Sequence, residues 1–339
     1  MKILLFDSTQ SYFFPGGKLT HAKMLQREIS KLGVDIQFAN WWDPSQKDFD
    51  LIHFLSPNIS IAATAKHFGK KTFFSMIFDF ETNKSPKEQK KMMLKNWIRD
   101  KFPSSLTSSL YWHALPFMDC IQFMHKYDRE TALKYFPKYI DQNKTIIIPH
   151  GHSPEEMNIS MDLDISEMNF PQKYLISCAN ISERKQTVLL AKYAKLAQVP
   201  IVFMGSANKE SIYFKTFEKE IDNKYVFYPG FVSKEWKDCI ERNASGYALL
   251  SLGESGCIAV YEAAAYNMPL FLSDLPWAWG YEAPTDIYFC DYNNEQKAVE
   301  QLKEFYKNAC KLDHMPFCSR TWSELAKMYV KEYERLLKN

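Results

Sequence analysis

The feature that most constrains this chain is a rhythm that occurs twice. Short apolar runs of three to seven residues alternate with longer segments whose apolar positions recur at helical spacing. Runs that short bury well as strands, and the intervening helical segments can serve as crossovers, so the pattern describes parallel sheets covered by helices. In the first half, residues 2–6, 35–38, 51–55 and 72–78 read as strands. Between the first two, Leu19, Ala22, Leu25, Ile29 and Leu32 share one helical face, and Gly33 supplies the residue just past the helix end. Runs at 120–124 and 145–148 continue the series. After Ser153 the chain turns polar and irregular as far as Asn169. A second series follows at 174–179, 200–204, 225–227, 246–250 and 269–272, with helical stretches such as 186–197 and 234–243 between. The segment 322–337 places Leu325, Met328, Tyr329, Tyr333 and Leu336 on one helical face that needs a surface to cover.

At 339 residues the chain is longer than one hydrophobic core usually serves. The expected division is a first Rossmann-like domain over 1–153, a second over 154–321, and a helix over 322–339 crossing back onto the first. The formal charge of +2 gives no general reason to expect a nucleic-acid partner. The seven cysteines are odd in number and contain no Cys-x-x-Cys pair, which argues against a disulfide framework or a zinc site and for a reducing, cytoplasmic setting. The opening Met1-Lys2-Ile3-Leu4-Leu5-Phe6-Asp7 is apolar too briefly for a signal-peptide core or a membrane span.

Chemistry concentrates in residues 251–265, Ser-Leu-Gly-Glu-Ser-Gly-Cys-Ile-Ala-Val-Tyr-Glu-Ala-Ala-Ala. This segment follows a strand and opens a helix, so the amides around Gly256, Cys257 and Ile258 point where phosphates bind at the carboxyl edge of a parallel sheet. On one continuous helix Glu254 and Glu262 would stand about 80° apart, so the pair fits better with Glu254 in the loop, facing a sugar hydroxyl, and Glu262 on the helix, accepting from a ribose diol. Without their context the same two residues also suit an ordinary solvated helix.

Glu254 and Glu262, with seven residues between them and Ala263-Ala264-Ala265-Tyr266-Asn267-Met268-Pro269 following, resemble the Glu-x7-Glu signature of retaining glycosyltransferases of family 4, the glycosyl transferases group 1. Other segments resemble that family in the same order. They are Pro15-Gly16-Gly17-Lys18-Leu19-Thr20-His21, Asp50-Leu51-Ile52-His53, Ile147-Ile148-Pro149-His150-Gly151-His152 and Gly230-Phe231-Val232. The resemblance implies an α/β chain of the GT-B type, two Rossmann-like domains facing each other across a cleft. The implied donor is a UDP- or GDP-linked sugar and the implied acceptor a saccharide or lipid-linked saccharide in surface glycan synthesis, with no cofactor required.

The resemblance also assigns roles. Lys185, with Arg184 beside it, would neutralise the leaving diphosphate, where charge grows in the transition state. Gly16 and Gly17 would offer backbone amides to the donor, and Asn180, Val232, Gly256, Cys257, Ile258 and Glu262 would bind it. Glu254 and Asp79 join Lys185 as catalytic candidates. Two departures stand out: Ala179-Asn180 occupies the place of a family Gly-Arg, and Phe78-Asp79 that of a His-Asp. They leave room for two other readings, a nucleotide-sugar-binding protein that has lost turnover, and a sugar-nucleotide epimerase. No metal is expected. Asp162-Leu163-Asp164 copies a metal-holding triplet of the other major glycosyltransferase fold but lies in the polar passage.

Residues 85–101 read as a basic amphipathic helix, with Met93, Leu94, Trp97 and Ile98 as its apolar stripe. Such a helix suits peripheral contact with the inner face of a membrane. The plainer expectation is that the stripe packs onto the first domain. Trp277 and Trp279 read as core residues rather than a sugar platform.

Overall fold

A computed structural model describes residues 1–9, 16–77, 83–102, 110–157, 159 and 163–338. The chain divides into two compact units, Met1–His150 with Arg320–Asn339, and Gly151–Ser319.

The first unit runs β1 (Lys2–Phe6), α1 (Gly17–Lys31), β2 (Asp35–Phe38), β3 (Leu51–Phe54), α2 (Ile59–His67), β4 (Lys71–Ser75), α3 (Pro86–Arg99), β5 (Cys120–Phe123), α4 (Lys126–Tyr135) and β6 (Thr145–Ile147). The second runs β7 (Leu175–Cys178), α5 (Thr187–Ala197), β8 (Ile201–Met204), α6 (Ile212–Glu218), β9 (Val226–Gly230), α7 (Lys234–Asn243), β10 (Gly246–Leu249), α8 (Ile258–Ala265), β11 (Leu270–Ser273), β12 (Ile287–Cys290) and α9 (Glu295–Asn308). The helix α10 (Trp322–Lys338) then belongs to the first unit again.

In the first unit six strands are ordered β2-β1-β3-β4-β5-β6, and every pairing is parallel. The central strands are buried on both faces, which is why Ile3, Leu4 and Leu5 occur in succession rather than in alternation with polar residues. Gly33 has φ +78° and its amide reaches the carbonyl of Ser30, closing α1 with a left-handed residue. Helix α10 packs against α1 and β4. It buries Leu325, Tyr329, Tyr333 and Leu336, while Met328, assigned to the same face from its spacing, stays 36% exposed at the rim. The phenol of Tyr333 lies 2.7 Å from His53 Nδ1, and Ser75 Oγ lies 2.7 Å from His53 Nε2. Burial pushes the His53 imidazole down to about 3, so it is neutral at physiological pH.

Helix α3 starts at a capping box in which Ser85 and Glu88 each bond the other's backbone. Its inward face differs from the expected one. Asn96 is buried and Met92 packs on the core, while Met93, Leu94, Trp97 and Ile98 are exposed. The apolar stripe is not the face that seats this helix.

The second unit repeats the design in the order β12-β11-β10-β7-β8-β9, again all parallel. Strand β12 has no counterpart among the expected runs. It is an edge strand with only Cys290 fully buried, so its sequence lacks the dense apolar signature of the inner strands. Gly205 follows β8 with φ +150°, and a Cβ there would lie 2.2 Å from the Ala179 carbonyl oxygen. The close approach of those two chain segments requires a glycine. Trp277 is buried, its indole N–H donating to the Ser251 carbonyl at 3.0 Å. Trp279, expected in the core, is 40% exposed and donates instead to Asp274 at 2.8 Å.

Candidate active site

Strand β10 ends at Leu249 and the chain turns through residues 250–257 before α8 begins. Gly256 takes φ +71°, a left-handed conformation that glycine adopts at little cost, and Cys257 caps the helix with its backbone alone. The Val260 amide turns back to the Cys257 carbonyl at 3.0 Å, and the amides at this end of α8 carry the positive end of its dipole.

Glu254 lies in this turn, 6% exposed. Three groups hold its Oε1: Lys185 Nζ at 2.6 Å, Arg184 Nη1 at 2.9 Å and the donating Ser251 hydroxyl at 2.5 Å. Burial works against ionisation of Glu254, but Lys185 and Arg184 outweigh it and hold the carboxyl below its ordinary range. Lys185 is itself 8% exposed, 3.8 Å from Cys257 Sγ. Burial alone would lower its pKa, yet Cys257 and Glu254 leave it above the usual lysine value. Arg184 also donates to the Gly253 carbonyl at 2.8 Å, and its own carbonyl accepts from the Leu252 amide at 2.8 Å. The turn after β7 and the turn after β10 are thus tied together, and both cations of the first, Arg184 and Lys185, meet Glu254 in the second.

Glu262 is the next landmark. It sits on α8 and lines an open pocket of about 400 Å³, solvent at its mouth included, with His152, Lys234, Lys237, Glu241 and Tyr266 among the walls. Lys237 Nζ lies 3.0 Å from Glu262 Oε2 and 3.0 Å from the Glu241 carboxylate. Glu241 is 1% exposed, and burial, only partly offset by Lys237, pushes its carboxyl up to about 7. Sequence reasoning did not reach Lys237 or Glu241. Their only local signal is a Lys-to-Glu spacing of four on one helix, which ordinary surface helices share.

The other candidates are dispersed. Asn180 is exposed and its Oδ1 accepts from Ser206 at 2.8 Å, while Val232 packs half-buried beside β9. Ile258 is the first residue of α8. Gly16 and Gly17 open α1 in the first unit, Gly16 in extended backbone with φ −173°. Asp79 and Asp162 lie outside the described residues. Lys185, Arg184, Glu254, Gly256, Cys257 and Ile258 are brought into one neighbourhood within the second unit, and Glu262 follows on the same helix.

This geometry is that of a Rossmann-like unit in which two cations and the turn before a helix start converge on one carboxylate. Residues 162–316 match the family described as glycosyl transferases group 1. No curated protein sequence matches the chain. Among solved structures, a sucrose-phosphate synthase from Thermosynechococcus elongatus is similar over all of both chains at 13% identity, with a TM-score of 0.70. A glycosyltransferase involved in avilamycin A biosynthesis matches all of this chain and 98% of its own at 13% identity and a TM-score of 0.61. The pneumococcal O-GlcNAc transferase in complex with UDP and GlcNAc matches over 85% of this chain and 57% of its own, at 15% identity and a TM-score of 0.59. At such identities the structures speak for the fold alone. That fold, two parallel six-stranded units, is GT-B. The second unit carries a glycosyl transferases group 1 domain, and the chain is a glycosyltransferase, consistent with a place in family 4.

Proposed function

We propose that the chain transfers a sugar, with retention, from a UDP- or GDP-linked donor to a hydroxyl of a saccharide or lipid-linked saccharide during surface glycan assembly. The observation that carries this reading is the cluster of Lys185, Arg184 and the start of α8 around Glu254. A nucleoside diphosphate leaving group gathers negative charge as the bond to the sugar breaks, and groups fixed to meet that charge lower the barrier. Lys185 and the first-turn amides of α8 would take the diphosphate. Drawing the two cations onto phosphate would release the Glu254 carboxylate toward a sugar hydroxyl. Glu262, in its pocket, would accept from the ribose diol in exchange for Lys237. No separate general base is assigned. In the retaining chemistry that the family resemblance implies, the departing phosphate helps to deprotonate the acceptor.

UDP is the nucleotide to try first, because the similar O-GlcNAc transferase structure holds UDP and GlcNAc. The test is nucleoside diphosphate release across a panel of UDP- and GDP-sugars. No donor binding, or Glu262→Ala with unchanged donor affinity and turnover, overturns the proposal. A second reading, donor binding without turnover, is favoured by Asn180 standing where the family resemblance implies an arginine. Tight binding of a UDP-sugar with no transfer to any acceptor would select it.

A further inference from the structure

The outward face of α3 is chemically the wrong way round for a surface helix. Met92 and Asn96, one turn apart, seat it on the first unit. Met93 with Trp97, and Leu94 with Ile98, form two further one-turn pairs centred about 150° away around the axis. These four are between 40% and 56% exposed, and Phe102 just beyond is 53% exposed. Lys87, Lys90, Lys91, Lys95 and Lys101 are exposed around the stripe, and the Lys101 ammonium lies over Trp97, 5.3 Å from the ring centroid. The two acids of the segment are turned to other tasks: Glu88 closes the capping box with Ser85, and Asp100 accepts from the Trp112 indole at 2.9 Å.

We infer that α3 is a docking surface for an anionic lipid bilayer, lying flat with its apolar stripe among the acyl chains and its lysines at headgroup level. The charge pattern selects this occupant. A bilayer of anionic lipid offers apolar depth and negative charge in the same layered order that the helix presents, and lysine stems of this length reach from stripe to headgroup. A second copy docked on the same face would bring two lysine sets together across a stripe, Met93, Leu94, Trp97 and Ile98, that itself holds no acidic side chain. The surface belongs to the first unit and uses none of the donor-site residues, so donor binding remains an independent measurement.

The test is flotation of the full chain with vesicles of phosphatidylcholine alone and of phosphatidylcholine mixed with phosphatidylglycerol. Binding to the anionic vesicles should exceed that to neutral ones by roughly tenfold or more and weaken as salt is raised. Leu94→Glu with Trp97→Glu, and separately Lys91→Glu with Lys95→Glu, should each reduce it by about tenfold or more. All four side chains point outward, so melting temperature and donor affinity should hold. Equal flotation with both vesicle types, no flotation at all, or a concentration-dependent dimer abolished by Trp97→Glu would overturn the assignment.

Discussion

Replacing Lys185 with alanine would leave Glu254 buried without its nearest cation. Removing one partner of a buried ion pair costs about 3–5 kcal/mol. Here Arg184 and Ser251 remain on the carboxylate, and Arg184 is 32% exposed, so water screens part of what it supplies. The expected loss is therefore about 2–3 kcal/mol, or about 5–10 °C in melting temperature for a unit of this size. Glu254→Gln should cost a similar amount by stranding Lys185. The double variant should cost less than the two together, by about 2 kcal/mol of coupling. The pH dependence has a definite sign. The folded pKa of Glu254 is depressed, so its contribution is present above the ordinary carboxylate value of 4.5 and is lost as pH falls through the lowered value. The gap between the wild type and Lys185→Ala should narrow in acid. Urea unfolding followed by circular dichroism at pH 7 and below 4.5 gives both quantities. Additive single losses, or a gap that stays constant with pH, would refute the view that these two charges hold each other.

Glu262→Ala should weaken UDP binding at least about tenfold by calorimetry, with melting little changed because both members of its pair with Lys237 are partly in water. Gly205→Ala should destabilise the second unit by about 3 kcal/mol or more, since the methyl meets backbone rather than a yielding side chain; a melting temperature within about 2 °C of wild type would contradict this. Glu241, its folded pKa raised to about 7, contributes stability that is fully present below 4.5 and lost as pH rises through 7. Second-unit stability should fall on the order of 2–3 kcal/mol between pH 5 and pH 8, and Glu241→Gln should flatten that slope. Tyr333→Phe should cost about 1 kcal/mol of first-unit stability through its lost bond to His53, read by thermal unfolding.

How far the chain could be understood from its residues alone depended on how local each determinant was. Inner strands such as β8 and β10, buried on both faces, are written as unbroken apolar runs. Strand β12 sits at an edge with Tyr288 46% exposed, and its role comes from pairing with β11 rather than from its own composition. At the site, the 254–258 turn was legible because glycine, charge and helix start lie close along the chain, whereas Lys185 was picked out by the family resemblance. Lys237 and Glu241 were not, since they join Glu262 only when α7 packs beside α8. The α3 stripe marks the middle case. Spacing reveals that an apolar face exists, but which face turns inward is decided by Met92 and Asn96 meeting the rest of the unit.

Helix α10 completes a unit whose other strands and helices all precede Gly151. During synthesis the ribosome must deliver the whole of the second unit before Tyr329 and Tyr333 can cover His53 and Phe73. The first unit is therefore completed only after the second has been made, and in the interval the face that α10 covers waits bare. Chaperone demand, and the damage done by a premature stop codon near residue 320, should fall on the first unit rather than on the second, which is being translated at the time.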